Sequence, residues 1–281
     1  MSALNSIFSP ALFKDKNVLV TGGGSGLGLR AAREFAALGA TVFICGRTQE
    51  KLDRAVKAIH GEGGRVESVV CDIRDRDAVV ELMQTVSDQA GKLDILINNA
   101  GGQFPAPAET ISAKGWQAVI DTNLTGTFNV MQAAFNKHFR KKGGAVVNVI
   151  ADMWQGFPMM AHTGAARAAV DNLTKTLANE WGRHGVRVNA VAPGIIRTSG
   201  LETYDPAVRP MIEEAGKQNQ AARMGTEAEV AAALVFLASP AAAYITGATL
   251  RIDGGQSIFH PLYPPNGERV WPAFDDENEK P

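Results

Sequence analysis

The sequence predicts an α/β protein built on a single doubly wound, seven-stranded parallel sheet with helices on both faces, and three observations predict it. Short β-branched apolar runs alternate with amphipathic helical stretches from residue 17 to residue 252. Most of those runs are apolar almost throughout rather than at every second position, as strands covered on both faces are. A glycine-rich turn joins the first run directly to the first helix.

In order, strands are expected at residues 17–21, 41–46, 65–71, 94–98, 145–150, 186–191 and 248–252, with helices at 27–38, 49–60, 75–89, 112–140, 163–181 and 227–238. Strand–helix–strand alternation of this kind builds right-handed crossovers, so ligands belong at the carboxyl ends of the strands. The chain divides into an N-terminal extension (1–14), one folded unit (15–259) and a proline-rich acidic tail (260–281).

Composition narrows the functional classes. With 281 residues and 45% hydrophobic content the chain can bury a full-sized core. Lys+Arg 28 against Asp+Glu 29 leaves a net charge of -1, with no basic footprint for nucleic acid or an anionic membrane. The uncharged stretch from Val230 to Leu250 is broken by Ser239-Pro240 and Thr246-Gly247, so it reads as a buried helix, a turn and a strand rather than a membrane span. Cys45 and Cys71 have no metal or disulfide spacing, and the 5 histidines are scattered, so no metal is expected. Residues 1–10 hold no secretory pattern, and Glu279-Lys280-Pro281 is not a small-basic-leucine peroxisomal signal; a cytoplasmic location is the expectation.

The turn Thr21-Gly22-Gly23-Gly24-Ser25-Gly26-Leu27-Gly28 points to a dinucleotide. Glycines let the backbone approach a pyrophosphate, and the helix that follows offers free N–H groups and a positive dipole. Gly22, Gly24, Ser25, Gly26, Leu27 and Gly28 are therefore cofactor candidates. At the end of the second strand, where an acid would select NAD, the chain has Cys45-Gly46-Arg47. Arg47 suits a ribose 2′-phosphate, so NADPH is the expected cofactor.

Together with Asn98-Asn99-Ala100-Gly101 and Pro193-Gly194, this turn resembles the short-chain dehydrogenase/reductase family over essentially the whole chain to Gly255. The resemblance implies a tetramer-forming Rossmann domain. It places Asp72 and Ile73 against adenine, Asn99, Ala100 and Gly101 against the adenosine ribose, and Pro193, Gly194, Ile196 and Thr198 beside the nicotinamide. Asp72 is alternatively a helix cap, a role that Asp75 can also fill.

Most of that family reduces carbonyls with a Tyr-x-x-x-Lys pair and a serine. Here Thr163 and Arg167 occupy the pair's positions, and the serine position falls in Ile150-Ala151-Asp152. The three tyrosines, Tyr204, Tyr244 and Tyr263, all lie far downstream. Hydride addition to a ketone leaves an alkoxide that needs a positioned oxygen acid, for which threonine is far too weak. Hydride addition to a double bond conjugated with a thioester leaves an enolate, which hydrogen bonds stabilise and which takes its proton on carbon.

Gly102-Gln103-Phe104, Ser112-Ala113-Lys114-Gly115-Trp116, Asn123 to Phe128, Gly156-Phe157-Pro158 and His162 to Ala168 resemble peroxisomal trans-2-enoyl-CoA reductases. Asp171, four residues after Arg167, resembles instead the peroxisomal 2,4-dienoyl-CoA reductases, in which that aspartate is thought to set a water that donates the proton. The implied substrate is an acyl-CoA thioester, 2-enoyl or 2,4-dienoyl. The catalytic candidates are Asp171, Arg167, Asn123, Asp152 and His162; the substrate candidates are Gln103, Phe104, Trp154 and Phe157, with Met159 and Met160 completing an apolar wall. Arg167 and Asp171 are otherwise a simple helical ion pair, Asn123 a buried bridging amide, and His162 and Asp152 caps. Two rival functions stay open: a carbonyl reductase using Asp152 or His162 as its acid, and a catalytically inert NADPH-binding scaffold kept open by Thr163 and Arg167.

Overall fold

The computed structural model describes residues 8–260, 262–264 and 270–274. Strands β1 (Asn17–Thr21), β2 (Thr41–Gly46), β3 (Arg65–Val70), β4 (Ile95–Asn98), β5 (Gly144–Val149) and β6 (Val186–Pro193) are followed by a short parallel pair, β7 (Ile196–Arg197) with β8 (Gly225–Thr226), and by β9 (Thr249–Ile252). The main sheet has the order β3-β2-β1-β4-β5-β6-β9 and every pairing in it is parallel. The order reverses between β1 and β4, which opens the ligand crevice beyond their carboxyl ends.

Helices α1 (Gly26–Ala37), α2 (Gln49–Gly61) and α3 (Arg76–Ala90) alternate with the first strands. Next comes one long helical run: α4 (Ala113–Ile120), a π turn at Asp121–Thr125, α5 (Gly126–Ala134), a second π turn at Phe135–Phe139 and α6 (Arg140–Lys142). It is followed by α7 (Ala161–Gly182), α8 (Arg209–Ala215) and α9 (Glu227–Ala238). Asp75 caps α3 by accepting from the N–H groups of Asp77 and Ala78, so Asp72 is not the cap. Thr226 and Glu229 form a reciprocal capping box that starts α9.

The sheet separates two apolar layers. On one side Val18, Val20, Val42 and Ile44 pack with Phe35, Leu52, Leu234 and Val235. On the other, Leu19, Phe43, Leu96 and Val146 pack with Leu82, Val130, Phe139 and Leu177. Residues of the N-terminal extension join this core: Phe13 is buried, its ring lies 4.9 Å from that of Phe35, and its N–H donates to the Leu38 carbonyl. Residues of the tail also bond to the body. The Trp271 N–H donates to Ala221 O, Arg223 holds the Trp271 and Pro272 carbonyls, and Thr226 Oγ1 donates to Phe274 O. These bonds satisfy backbone groups of residues 271–274, while the Val270 and Trp271 side chains stay exposed.

Gly28 shows how tightly the first turn is built. A Cβ there would lie 2.2 Å from the Gly22 carbonyl oxygen and 2.4 Å from the Asn99 amide, whereas one on Gly102 would meet nothing within 4 Å. Gly28→Ala is therefore expected to cost about 1–3 kcal/mol, read as a lower midpoint in thermal unfolding. Gly102→Ala should leave the midpoint close to that of the parent.

Candidate active site

The carboxyl ends of β1, β4, β5 and β6 bring the predicted cofactor residues together. Gly22 adopts φ +67 and Gly26 φ +55, conformations that favour glycine. Ser25 starts α1 without a side-chain cap bond, leaving its hydroxyl for a ligand. Gly23 and Gly24 lie close over Ile44 and Lys51. The Asn99 amide donates to the Thr21 carbonyl at 3.0 Å, and the buried Thr21 hydroxyl accepts from the N–H groups of Asn99 and Ala100 at 3.1 and 3.0 Å. Thr21 is thus the brace between the first turn and the β4 loop, a role hidden in sequence because it is carried by a hydroxyl inside an apolar strand.

At the rim, Arg47 is exposed directly after β2. Asp72 forms a bidentate pair with Arg74, and the Arg74 guanidinium, then Arg47, hold its carboxyl below the ordinary value. Ile73 is buried against Gly126. Sequence reasoning named Arg47 and missed Arg74, which the turn after β3 carries back beside it. On the opposite side, Gly194 donates to Ile252 O at 3.0 Å, Ile196 is buried, and Thr198 accepts from Gly200 N at 3.2 Å.

Arg167 marks the centre. Its Nη1 donates to the Val149 carbonyl at 2.8 Å, and burial pushes its pKa down to about 10. Among the described residues no carboxylate pairs with it. A Cβ on Gly101 would sit 2.4 Å from Arg167 Nη2 and 2.7 Å from Asn123 Oδ1, so the β4 loop lies directly against both. Asn123 is fully buried in the first π turn; its amide nitrogen donates to the Gly102 carbonyl at 2.6 Å and to the Val119 carbonyl at 2.9 Å. Asn123 is thus a buried bridging amide set in a π turn.

Asp171 goes elsewhere. Its carboxylate pairs with Lys175 and accepts the Thr249 hydroxyl at 2.5 Å, while Arg167 turns toward Val149 and Gly101. Asp171, four residues after Arg167 on α7, thus has its carboxylate engaged by Lys175 and Thr249.

Asp152 lies closer to the chemistry. Its N–H donates to the Pro193 carbonyl at 2.9 Å, and its Oδ1 is buried without a partner. It caps no helix, since α7 starts at Ala161 with Met160 as its N-cap. Burial, then the charge of Asp253, raises its pKa. Asp253, absent from the predicted set, follows β9. Burial pushes its carboxyl up, but the Ser257 hydroxyl and the N–H groups of Ser257 and Gly255 outweigh that and hold it below its ordinary value.

The fully buried His162 is kept neutral by burial, and its Nδ1 accepts from Thr163 N at 2.8 Å while Nε2 has no partner. Phe104 stands edge-on to it at 4.5 Å. Phe157 packs against Gly164, Trp154 is half-exposed beneath the Arg251 guanidinium at 4.1 Å, and Met159 is exposed at φ +64. Gln103 also reaches Tyr204: its amide donates to the phenol oxygen at 2.9 Å. A tyrosine that sequence distance put far away therefore stands at the mouth.

A turn in which a side chain at Gly23 or Gly28 would collide, together with a buried guanidinium that no carboxylate among the described residues neutralises, fits a dinucleotide. The family model described as enoyl-(acyl carrier protein) reductase matches residues 22–257. The chain belongs to the short-chain dehydrogenase/reductase family. Proteins of this family with this fold bind a nicotinamide cofactor, and the chain is an oxidoreductase by that membership. It is 38% identical over 259 residues to the peroxisomal 2,4-dienoyl-CoA reductase of Rattus norvegicus, covering 91% of this chain and 88% of that one. It is 40% identical over 246 residues to a probable 2,4-dienoyl-CoA reductase of Bacillus subtilis, covering 86% and 96%. Among solved structures, the citronellol catabolism dehydrogenase (AtuB) of Pseudomonas aeruginosa PAO1 matches with a TM-score of 0.82 at 47% identity, covering 90% of this chain and 100% of that one.

The raised pKa of Asp152 has a stability consequence. The native state keeps its proton to higher pH than the unfolded chain, so the group costs nothing below the ordinary carboxylate value and destabilises as pH rises through and beyond it. Asp152→Asn should therefore raise the unfolding temperature at pH 7–8, with the gain over the parent shrinking toward about pH 4. Thermal unfolding across that range checks it.

Proposed function

We propose that the protein is an NADPH-dependent reductase of the carbon–carbon double bond of an enoyl-CoA or 2,4-dienoyl-CoA thioester. One observation carries the reading: α7 offers Thr163 and Arg167 where a carbonyl reductase of this family places its phenol and lysine, and the carboxyl at the end of β5, Asp152, has a raised pKa and an unpartnered buried oxygen. The similarity to 2,4-dienoyl-CoA reductases supports it.

When bound, the reduced nicotinamide supplies hydride to the distal alkene carbon. Gly22 to Gly28 would hold the pyrophosphate on the α1 N-terminus, Arg47 the 2′-phosphate, Asp72 and Ile73 the adenine, and Asn99 to Gly101 the ribose. Arg167 would bind the nicotinamide-ribose hydroxyls and lend a fixed positive charge to the developing enolate. The proton reaches Cα from Asp152 directly or through a water; Asp253, held ionised, keeps that proton on Asp152. In this reading Asp171 anchors α7 to β9 through Thr249 and Lys175 and does not touch the reacting atoms.

The second reading, a carbonyl reductase, is favoured by the same carboxyl, since a protonated Asp152 would equally serve an alkoxide. NADPH oxidation with crotonyl-CoA, 2,4-hexadienoyl-CoA and acetoacetyl-CoA separates the two; turnover of the unsaturated esters alone is expected, and turnover of acetoacetyl-CoA alone overturns the first. Citronellol with NADP⁺ and a branched terpenoid enoyl-CoA belong in the panel, because AtuB is described as a citronellol catabolism dehydrogenase. The chain is further proposed to act in the cytoplasm as a homotetramer, for which the half-buried Leu124, Phe128 and Leu173 along the first π turn, α5 and α7 offer apolar surface.

Arg47 sets the cofactor choice in this reading. Arg47→Ala is expected to raise KM for NADPH about 10–100-fold, the worth of a charge-assisted bond, and to leave KM for NADH nearly unchanged. Steady-state kinetics with both cofactors checks this.

A further inference from the structure

The segment from Thr198 to Ala215 faces the loop after β4 across the mouth of the site, and the Gln103–Tyr204 hydrogen bond of 2.9 Å joins them across 101 residues of chain. Both ends of that bond are built into place. Gly102, just before Gln103, is gripped from both sides by Asn123, whose Oδ1 accepts from Gly102 N at 3.3 Å and whose amide nitrogen donates to Gly102 O at 2.6 Å. Phe104, just after, is fixed against His162. Tyr204 is held by Arg209, whose Nε donates to the Tyr204 carbonyl at 3.0 Å and whose Nη2 bonds the Glu202 carbonyl.

The polarity of the bond is informative. Gln103 donates and the phenol oxygen accepts, so the Tyr204 O–H and the second amide N–H of Gln103 are left to donate to something else. An exposed neutral hydrogen bond adds little to stability, so stability gives no reason for bracing it from both loops. A ligand oxygen that gains negative charge does give one. The hydroxyl at the usual phenol position cannot supply that donor as freely, because Thr163 Oγ1 is engaged with His162 Nδ1 at 3.2 Å.

We propose that Gln103 and Tyr204 form a latch that closes over the substrate and donates two hydrogen bonds to its thioester carbonyl oxygen. The latch rests on the acyl-CoA reading above and names its oxyanion donors. Tyr204 delivers no proton to carbon; it holds the oxygen while Asp152 serves Cα.

The test uses Tyr204→Phe, Gln103→Leu and the double variant in the full chain, with circular dichroism and thermal unfolding to establish folding. Three quantities are read: KM and kcat for crotonyl-CoA, binding of butyryl-CoA by calorimetry with NADP⁺ present, and NADPH affinity by fluorescence. Each single variant is expected to weaken butyryl-CoA binding about fivefold and to lower kcat as well, with NADPH affinity unchanged. The double variant should be no worse than the poorer single, because the pair acts as a unit. Single variants within twofold of the parent overturn the latch, as do effects that multiply in the double variant. Faster hydrogen exchange over residues 199–216 with unchanged KM and kcat shows a merely structural contact and overturns it too. A parent that binds butyryl-CoA but turns over no unsaturated ester sinks the reductase reading alone, provided the variants weaken binding; a parent that binds no CoA ester overturns both.

Discussion

A buried guanidinium with a single carbonyl partner is the constraint around which the site is arranged. Arg167 donates to Val149 from within the protein, and no carboxylate among the described residues neutralises it. Such a charge is costly wherever packing alone decides. It dictates its surroundings: the β4 loop must carry glycine at 101, because any side chain would collide with the guanidinium and with Asn123. Asn123 in turn sits in a π turn, from which its amide donates both to the Gly102 carbonyl and to the Val119 carbonyl of its own helix. One charge thus explains a glycine, a helix irregularity and the path of the loop that carries Gln103 and Phe104.

Asp152, Asp253 and Asp171 show that surroundings, not spacing, decide what each carboxylate meets. Asp152 is half-buried, with one oxygen buried and unpartnered and another acid nearby, and both its burial and that charge favour the protonated form. Asp253 collects three donors and stays ionised. Two acids pushed in opposite directions are the pattern expected of a proton source and the group that keeps the proton there. Asp171 has its charge met by Lys175 and its second oxygen met by Thr249, which ties the middle of α7 to the edge strand. Its sequence context was the more suggestive of the three, yet its contacts are those of an anchor.

The sheet was legible almost to the residue. Continuous apolar runs, flanking glycines and the β1–α1 turn led to seven strands in the right places, with β6 running two residues further than its pattern and so carrying Pro193 to the cofactor side. The cofactor cradle was legible for the same reason: glycine spacing records backbone geometry directly. Contacts between distant segments were not. Tyr204 meets Gln103 across 101 positions, and Asp253 meets Asp152 across a similar span, through loops whose course no periodicity encodes. Phe13 docks from a segment too short to show a periodicity, and the segment of Trp271 is held by backbone hydrogen bonds, which composition does not record.

That docking reaches the acids. Trp271 donates to Ala221 O, Ala221 donates to Gly254 O, and Gly254 and Gly255 turn tightly over Asn219 and Gln220 directly after Asp253. The same turn presses on Gly194, where a Cβ would lie 2.9 Å from Asp253 Cα. Arg223 fastens the arrangement by gripping the Trp271, Pro272 and Met224 carbonyls together with Glu229, the residue that completes the α9 capping box. Since Asp253 owes its low pKa to N–H groups of this turn, its charge depends on the turn keeping its shape. The charge of Asp253 in turn raises Asp152. Residues 271–274 are in this way connected, through backbone hydrogen bonds and then through the charge of Asp253, to the protonation state of Asp152.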